Sequence, residues 1–356
     1  MKKLYYTLLI LAVLGSHLSL EYYDDSRITS INGSGEEELI IKSIHIDKYN
    51  AKWLGTNNGL LRFDGERWQR FSTDDYLAGN GINDLAFELT SYGPELWIAT
   101  DNGVSVTAYS VDGVTAATSY TTEEGLMENR VTAVAVDTAH TKYFGSVSGI
   151  TYFRSGDMKT VAHSDFPESL LNAAVNDLAV RNDSIYVATG LGIGRLVATV
   201  DGITGASKWT KGYGITPLSG NILSVMIDSK GNQWFGTDAG AEKHVGLKAK
   251  ENWSLYTVGD GLIHNMVHSI SEDNEGGIWF GTEGGISRLF NDKWTSYTSA
   301  DGLASDTVYD IAFDYGGNVW LATHRGITQF DGAQFTNILV SSVNELPKMD
   351  IPAKIY

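Results

Sequence analysis

The sequence has no cysteine. No disulfide can staple the fold, no thiol can act as nucleophile or soft metal ligand, and the Cys that a bacterial lipoprotein needs at its cleavage site is missing too. Positive charge is scarce: 26 Lys and Arg face 43 Asp and Glu, for a net charge of -17. Such a field repels phosphate backbones and anionic lipid, so no nucleic-acid partner is expected, whereas cations and neutral polar ligands such as sugars remain compatible. Apolar runs of membrane-spanning length are also lacking. The run from Leu4 to Leu14 is broken by Ser16 and His17, well short of the roughly 20 residues a span requires. Lys2 and Lys3 precede it and Gly15 and Ser16 follow it, the pattern of a secretory signal over residues 1–20, whose removal takes the net charge to about -19. The mature chain is therefore expected outside the cytoplasm, periplasmic or extracellular, with no transmembrane segment.

What the sequence does have is repetition. An aromatic residue, any residue, Gly or Ala, then Thr or Ser recurs at Trp53, Trp97, Tyr143, Tyr186, Trp234, Trp279 and Trp320, at spacings of 41 to 48 residues. That is the length of a four-stranded propeller blade, and seven occurrences predict an all-β, seven-bladed β-propeller of four-stranded antiparallel blades. Each unit reads as four short strands. The first is β-branched, as in "ILSVMID", and in the last three units runs into an Asp-x-x-Gly turn at Asp228, Asp273 and Asp314. The second is the signature itself, the third resembles "GLLRF" or "GITQF", and the fourth carries a second aromatic, as in "WTSYT".

The first strands explain how the units pack. Ile44, Val134, Val225, Ile270 and Ile311 share one face, while Ser43, Ser224, Ser269, Ala135, Ala179 and Ala312 occupy the other. A sheet with large groups on one face and small groups on the other suits a blade held between two neighbours. The recurrent Trp is then a wedge between blades. Residues 39–342 are assigned to the propeller, residues 21–38 to an N-terminal segment on the rim or closing the last blade, and residues 343–356 to a tail.

The strings "W-x-G-T-x-x-G-L-x-R-F", "W-x-x-Y/F-T" and "D-G-L-x-x-N/D-x-V-x-x-I", read at 53–77, 279–311 and 320–335, resemble the two-component regulator propeller repeat. The resemblance covers roughly residues 39–340, strongly in units one, five, six and seven. Units three and four are degenerate, with Tyr143 and Tyr186 in place of Trp and a longer excursion, "VATVDGITGASKWTKGYGI", in unit four. It implies an extracytoplasmic sensing or binding role of the kind played by the sensor propellers of hybrid histidine kinases. No kinase segment follows the seventh unit, so no phosphotransfer by this chain is expected, and the resemblance brings no catalytic motif.

Chemistry-bearing motifs are few. The Asp-x-x-Gly turns offer one carboxylate each and lack the alternating oxygen ligands of a calcium loop. His264 and His268 span a loop and a strand start, where that spacing does not place them on one face. "GLGIGR" opens no helix, no Gly-x-Ser-x-Gly elbow occurs, and the pairs Glu123–Glu124 and Asp74–Asp75 read as solvated loop residues. Neither catalytic residues nor a metal or cofactor is expected. A propeller holds ligands over its channel, on the face formed by the turns between strands two and three and the loops between units. Scaffold positions repeat there and site positions do not. The polar, non-repeating candidates are Asn58, Asp101, Asn102, Asp238, His268, Glu283, Tyr309, His324 and Arg325. They suit a carbohydrate or other polar ligand, or an envelope protein partner. The alternatives are a propeller lyase or hydrolase, which requires His268, His324 and Glu283 to converge on a metal, and a structural scaffold of an envelope assembly, contacting through its outer strands or the tail "NELPKMDIPAKIY".

Overall fold

The computed structural model describes residues 39–162, 173–199, 202–209, 221–246 and 252–338. Among them the repeat units form seven four-stranded antiparallel sheets, each of four strands consecutive in sequence, arranged as a seven-bladed β-propeller. Blade one runs β1 (Ile41–Ile46), β2 (Lys52–Thr56), β3 (Gly59–Phe63) and β4 (Trp68–Phe71) in that spatial order. The later blades occupy residues 82–120, 131–162, 175–209, 222–256, 267–297 and 308–338. First strands pack against first strands around the ring, Val308–Phe313 against β1 included. The segments 1–20, 21–38 and 343–356 lie outside the described residues, and with them the signal, closure and tail expectations.

Each letter of the signature has a physical task. Alternation along β2 points Trp53 at blade two, where it packs with Leu85 and Ile98, and Leu54 at blade seven, where it meets Trp320. Among the described residues seven apolar clusters repeat this arrangement, one per junction. The Gly of the signature permits close approach: a Cβ on Gly55 would sit 2.3 Å from Ser43 Oγ and 2.8 Å from Ile82 of blade two. Thr56 Oγ1 donates to Gly59 O (2.7 Å) and accepts from Asn58 N (3.0 Å), closing the turn from β2 to β3. Thr100, Ser146, Thr189, Thr237, Thr282 and Thr323 close the other turns in the same way.

The turns from first to second strand are locked by carboxylates. Asp47 accepts from Tyr49 N and Ala51 N on one oxygen and from the Trp53 indole on the other, at 2.8 Å. Asp228, Asp273 and Asp314 hold Trp234, Trp279 and Trp320 likewise at 3.0, 2.7 and 2.9 Å, and Asp137 holds the Tyr143 hydroxyl. Burial alone would raise Asp228, Asp273 and Asp314, but these donors hold all three carboxyls below the usual range. The Asp-x-x-Gly motifs are thus turn devices, with their oxygens already occupied.

Two expectations need correction. The loop pairs are not both solvated: Asp75 is buried, because it accepts from Ser72 N and Oγ in a capping box around the 3-10 turn Thr73–Asp75. Glu124 caps Thr121 in the corresponding loop but stays exposed, as do Glu123 and Asp74, so Asp75 alone departs from the expectation. The small face of the first strands also carries acids. Asp84, Asp177 and Asp310 sit at the position of Ser43, and each reaches the next blade: Asp84 Oδ2 accepts from Val134 N (2.8 Å), Asp177 Oδ2 from Val225 N (2.7 Å) and Asp310 Oδ2 from Ile44 N (2.9 Å). The last of these bonds, with Lys52 Nζ 4.5 Å over the Trp320 ring, joins blade seven to blade one.

Candidate functional site

The starts of the first strands and the turns between strands two and three meet at one end of the ring, joined by bonds such as Glu283 N to Met266 O and His324 N to Thr307 O. A β-bulge interrupts pairing near the start of every first strand. The extra residues are Lys42, Asn83, Thr132, Asn176, Leu223, His268 and Tyr309. A bulge frees one residue from the ladder and re-aims it. Here it removes one side chain per blade from the packed faces and places it at the inner rim. Asn83, Thr132 and Asn176 spend that freedom on the scaffold, donating to Val131 O, Val175 O and Ile222 O of the following blade.

Blades six and seven use it differently. Glu283 Oε1 lies 3.7 Å from His268 Nε2, the His268 ring lies 5.5 Å from that of Tyr309, and Tyr309 Oη lies 3.2 Å from His324 Nδ1. Four of the nine expected site residues therefore form one continuous polar line, two from bulges and two from turns. Arg325 is exposed on the adjoining turn, and its side chain has no polar partner among the described residues. The line offers a half-exposed carboxylate, two imidazoles and a phenol. Such a set can accept from and donate to hydroxyls and can lay rings against an apolar sugar or peptide face.

The remaining candidates are dispersed. Asp101 accepts from Asn83 Nδ2 at 2.9 Å and lies 3.9 Å from Arg130 Nε, making a smaller charged group at blades two and three. Arg130 was not found from the sequence; the column immediately ahead of the first strand would have exposed it. Asp238 stands exposed on blade five without a polar partner among the described residues. Asn58 is taken up by Arg70 Nη2 at 3.0 Å and Asn102 donates to Ala78 O at 3.1 Å, so both side chains serve their own turns.

His324 faces Tyr309, and no group of three His, Cys, Asp or Glu among the described residues is placed to hold a metal ion. The convergence on a metal that the lyase alternative requires is not present there.

Residues 261–284 match the family model of the two component regulator propeller. None of the curated proteins compared with the chain matches it. Among solved structures, the extracellular domain of the candidate hybrid two component system BT3049 from B. thetaiotaomicron aligns with 17% identity and a TM-score of 0.63, over 85% of this chain and 47% of that one. PorZ, a surface component of the type-IX secretion system of Porphyromonas gingivalis, aligns with 16% identity and a TM-score of 0.63, over 83% and 47%. Virginiamycin B lyase from Staphylococcus aureus aligns with 14% identity and a TM-score of 0.63, over 81% and 92%. The chain thus spans about half the length of the first and second of these, and at such identities the likeness is one of fold. Among the described residues no helix is long and apolar enough to cross a membrane.

Proposed function

We propose that this chain, which carries a two-component regulator propeller repeat, is an extracytoplasmic recognition module that binds a polar ligand, a carbohydrate in the first instance, over blades six and seven. The observation that carries the reading is the line Glu283–His268–Tyr309–His324. It breaks the repeat's symmetry at the positions where blades two, three and four keep scaffold bonds. A rigid ring presenting one asymmetric polar strip suits docking. Glu283 accepts sugar hydroxyls, Tyr309 and His268 supply ring faces, and Arg325 with His324 engages an acidic substituent. Similar folds serve an extracellular domain of a two component system, a secretion component and a lyase, so the site and not the fold must decide.

A thermal-shift screen of the protein against neutral and acidic oligosaccharides, peptides and divalent cations tests this, with a variant changed to Ala at Glu283, His324 and Arg325 as control. The expected result is a rise in Tm with a saccharide that the triple variant loses, because a ligand stabilises only the state that binds it. A rise with divalent cations alone would support the metal-dependent lyase instead. No rise with any small molecule would leave protein docking as the function of this face.

A further inference from the structure

The opposite end of the ring, where the turns between strands one and two and between strands three and four lie, holds a recess between blades three and four of about 250 Å³. Its origin is visible in the repeat. In blades one, five and six the residue paired with the wedge Trp is a cation lying over the indole: Arg62 over Trp53 at 5.6 Å, Lys243 over Trp234 at 5.0 Å and Arg288 over Trp279 at 5.6 Å. In blade three the wedge is the smaller Tyr143, and its paired residue is Tyr152. That cation is missing here, as it is in blades two and seven, where Val106 and Gln329 take the position, and Ala198, Thr199, Gly202 and Ile203 of blade four form the far wall.

Tyr152 is 9% exposed, lines the recess, and has no hydrogen-bond partner among the described residues. Its hydroxyl faces the recess and can donate to or accept from a group bound there. Around it stand Arg154, which donates one Nη1 bond to Thr199 O at 3.0 Å, Lys159, directly opposite Tyr152 in the sheet, and Asp157. Neither Lys159 nor Asp157 has an ion-pair partner among the described residues. Among the described lining residues, two cations stand with one carboxylate, in a chain of net charge -17.

We propose that this recess is a second binding site, for a hydroxylated carboxylate the size of one sugar ring, a hexuronate being the simplest. The ligand carboxylate meets Arg154 and Lys159, while ring hydroxyls donate to Asp157 and accept from Tyr152. A bare oxyanion would leave Asp157 unmatched, and a neutral sugar would leave both cations unmatched. The volume lies below the roughly 300–1,000 Å³ of drug-sized sites, which selects a single ring over a chain.

Isothermal titration of the whole chain with D-glucuronate, D-glucose and inorganic sulfate tests the assignment. Glucuronate should bind at least about tenfold more tightly than glucose or sulfate, Lys159→Gln should weaken it about tenfold, and Tyr152→Phe, which keeps the ring and removes only the hydroxyl, about three- to tenfold. Tyr92→Ala, an exposed change on blade two, should leave glucuronate binding unchanged, and the channel-face reading is tested with neutral oligosaccharides, so the two readings fail separately. Equal binding of the three probes, no glucuronate binding, or full affinity in both Tyr152→Phe and Lys159→Gln would overturn the proposal.

Discussion

Two kinds of junction hold the ring together, and they differ at a single pair of positions. Toward blades two, four, six and seven the pair is Ser43 with Gly55, Ala133 with Gly145, Ser224 with Gly236 and Ser269 with Gly281. Toward blades three, five and one it is Asp84 with Ala99, Asp177 with Ala188 and Asp310 with Ala322. The first kind works by close approach, since a Cβ on any of its glycines would lie 2.3 to 2.6 Å from a neighbouring side chain. The second kind turns the carboxylate onto backbone N–H groups of its own strand and of the next blade, which leaves room for the Ala methyl. Packing and hydrogen bonding are thus alternative solutions to one geometric problem. The second exacts a desolvation penalty: burial raises Asp84 well above the usual carboxylate range and pushes Asp177 and Asp310 up to about 7, against the lowering effect of their backbone donors.

The comparison breaks most visibly at ring closure. Asp310→Ala strips the acceptor from Ile44 N and Ile311 N, and orphaned buried donors cost about 1–3 kcal/mol each, so urea denaturation should show a loss of about 2–5 kcal/mol. The cost should be greater at pH 5 than at pH 8, where removing an acid that resists ionisation gives part of it back. The same carboxyls set a pH slope. Their folded pKa lies above the unfolded value, so the native state binds more protons between about pH 4 and 7. Stability from these groups is complete below that window and declines as pH rises through it, by at most about 1.4 kcal/mol per unit for each group. His45, buried against Phe87 and pushed down to about 4, opposes this between its folded value and the unfolded 6.5. The reading is therefore the difference between the wild type and Asp310→Asn, in which His45 cancels. A difference that does not fall with pH in that window would refute the assignment.

A junction can also be converted. Gly281 is the best site, because a Cβ there meets Ser269 Oγ at 2.6 Å but Val308 atoms only at 3.1 Å and beyond. Gly281→Ala should cost about 1–3 kcal/mol by overpacking. Adding Ser269→Asp should recover part of that loss, and a double-mutant cycle in denaturant should give a favourable coupling of at least about 0.5 kcal/mol. Strict additivity would mean that the two pairings are not interchangeable designs.

The legibility of the chain follows the same division. The wedge Trp, the bare Gly and the turn-closing Thr were readable because each blade must solve the same local problem, so the solution recurs at a fixed spacing. Asp84, Asp177 and Asp310 escaped because an acid contradicts the rule that a sandwiched face is apolar; only their coincidence with Ala99, Ala188 and Ala322 in the signature betrays them. The bulges were invisible for another reason. Two residues opposing one is a property of a strand pair, and the sequence displays strands singly. Candidate positions at the strand starts were still legible, since His268 and Tyr309 stand out against Asn83 and Thr132. The sequence could not tell that Asn58 and Asn102 would be consumed by Arg70 and Ala78, because those partners lie outside the repeated columns.

The smallest expected effect on folding is the most informative about function. His324 is half-buried, hydrogen-bonds Tyr309 and lies outside the apolar clusters of the described residues. His324→Ala should therefore change unfolding free energy by no more than about 0.5–1 kcal/mol, the range of a partly exposed polar contact. If blades six and seven form the recognition strip, the same change should weaken saccharide binding about tenfold while the junction variants, matched for native fold, bind as the wild type does. The separation arises because the junction groups act between blades, whereas the strip acts from bulges and turns that lie outside the ladder. A His324→Ala protein that lost several kcal/mol of stability and kept its ligand would place this residue with the scaffold and move the site elsewhere on the face.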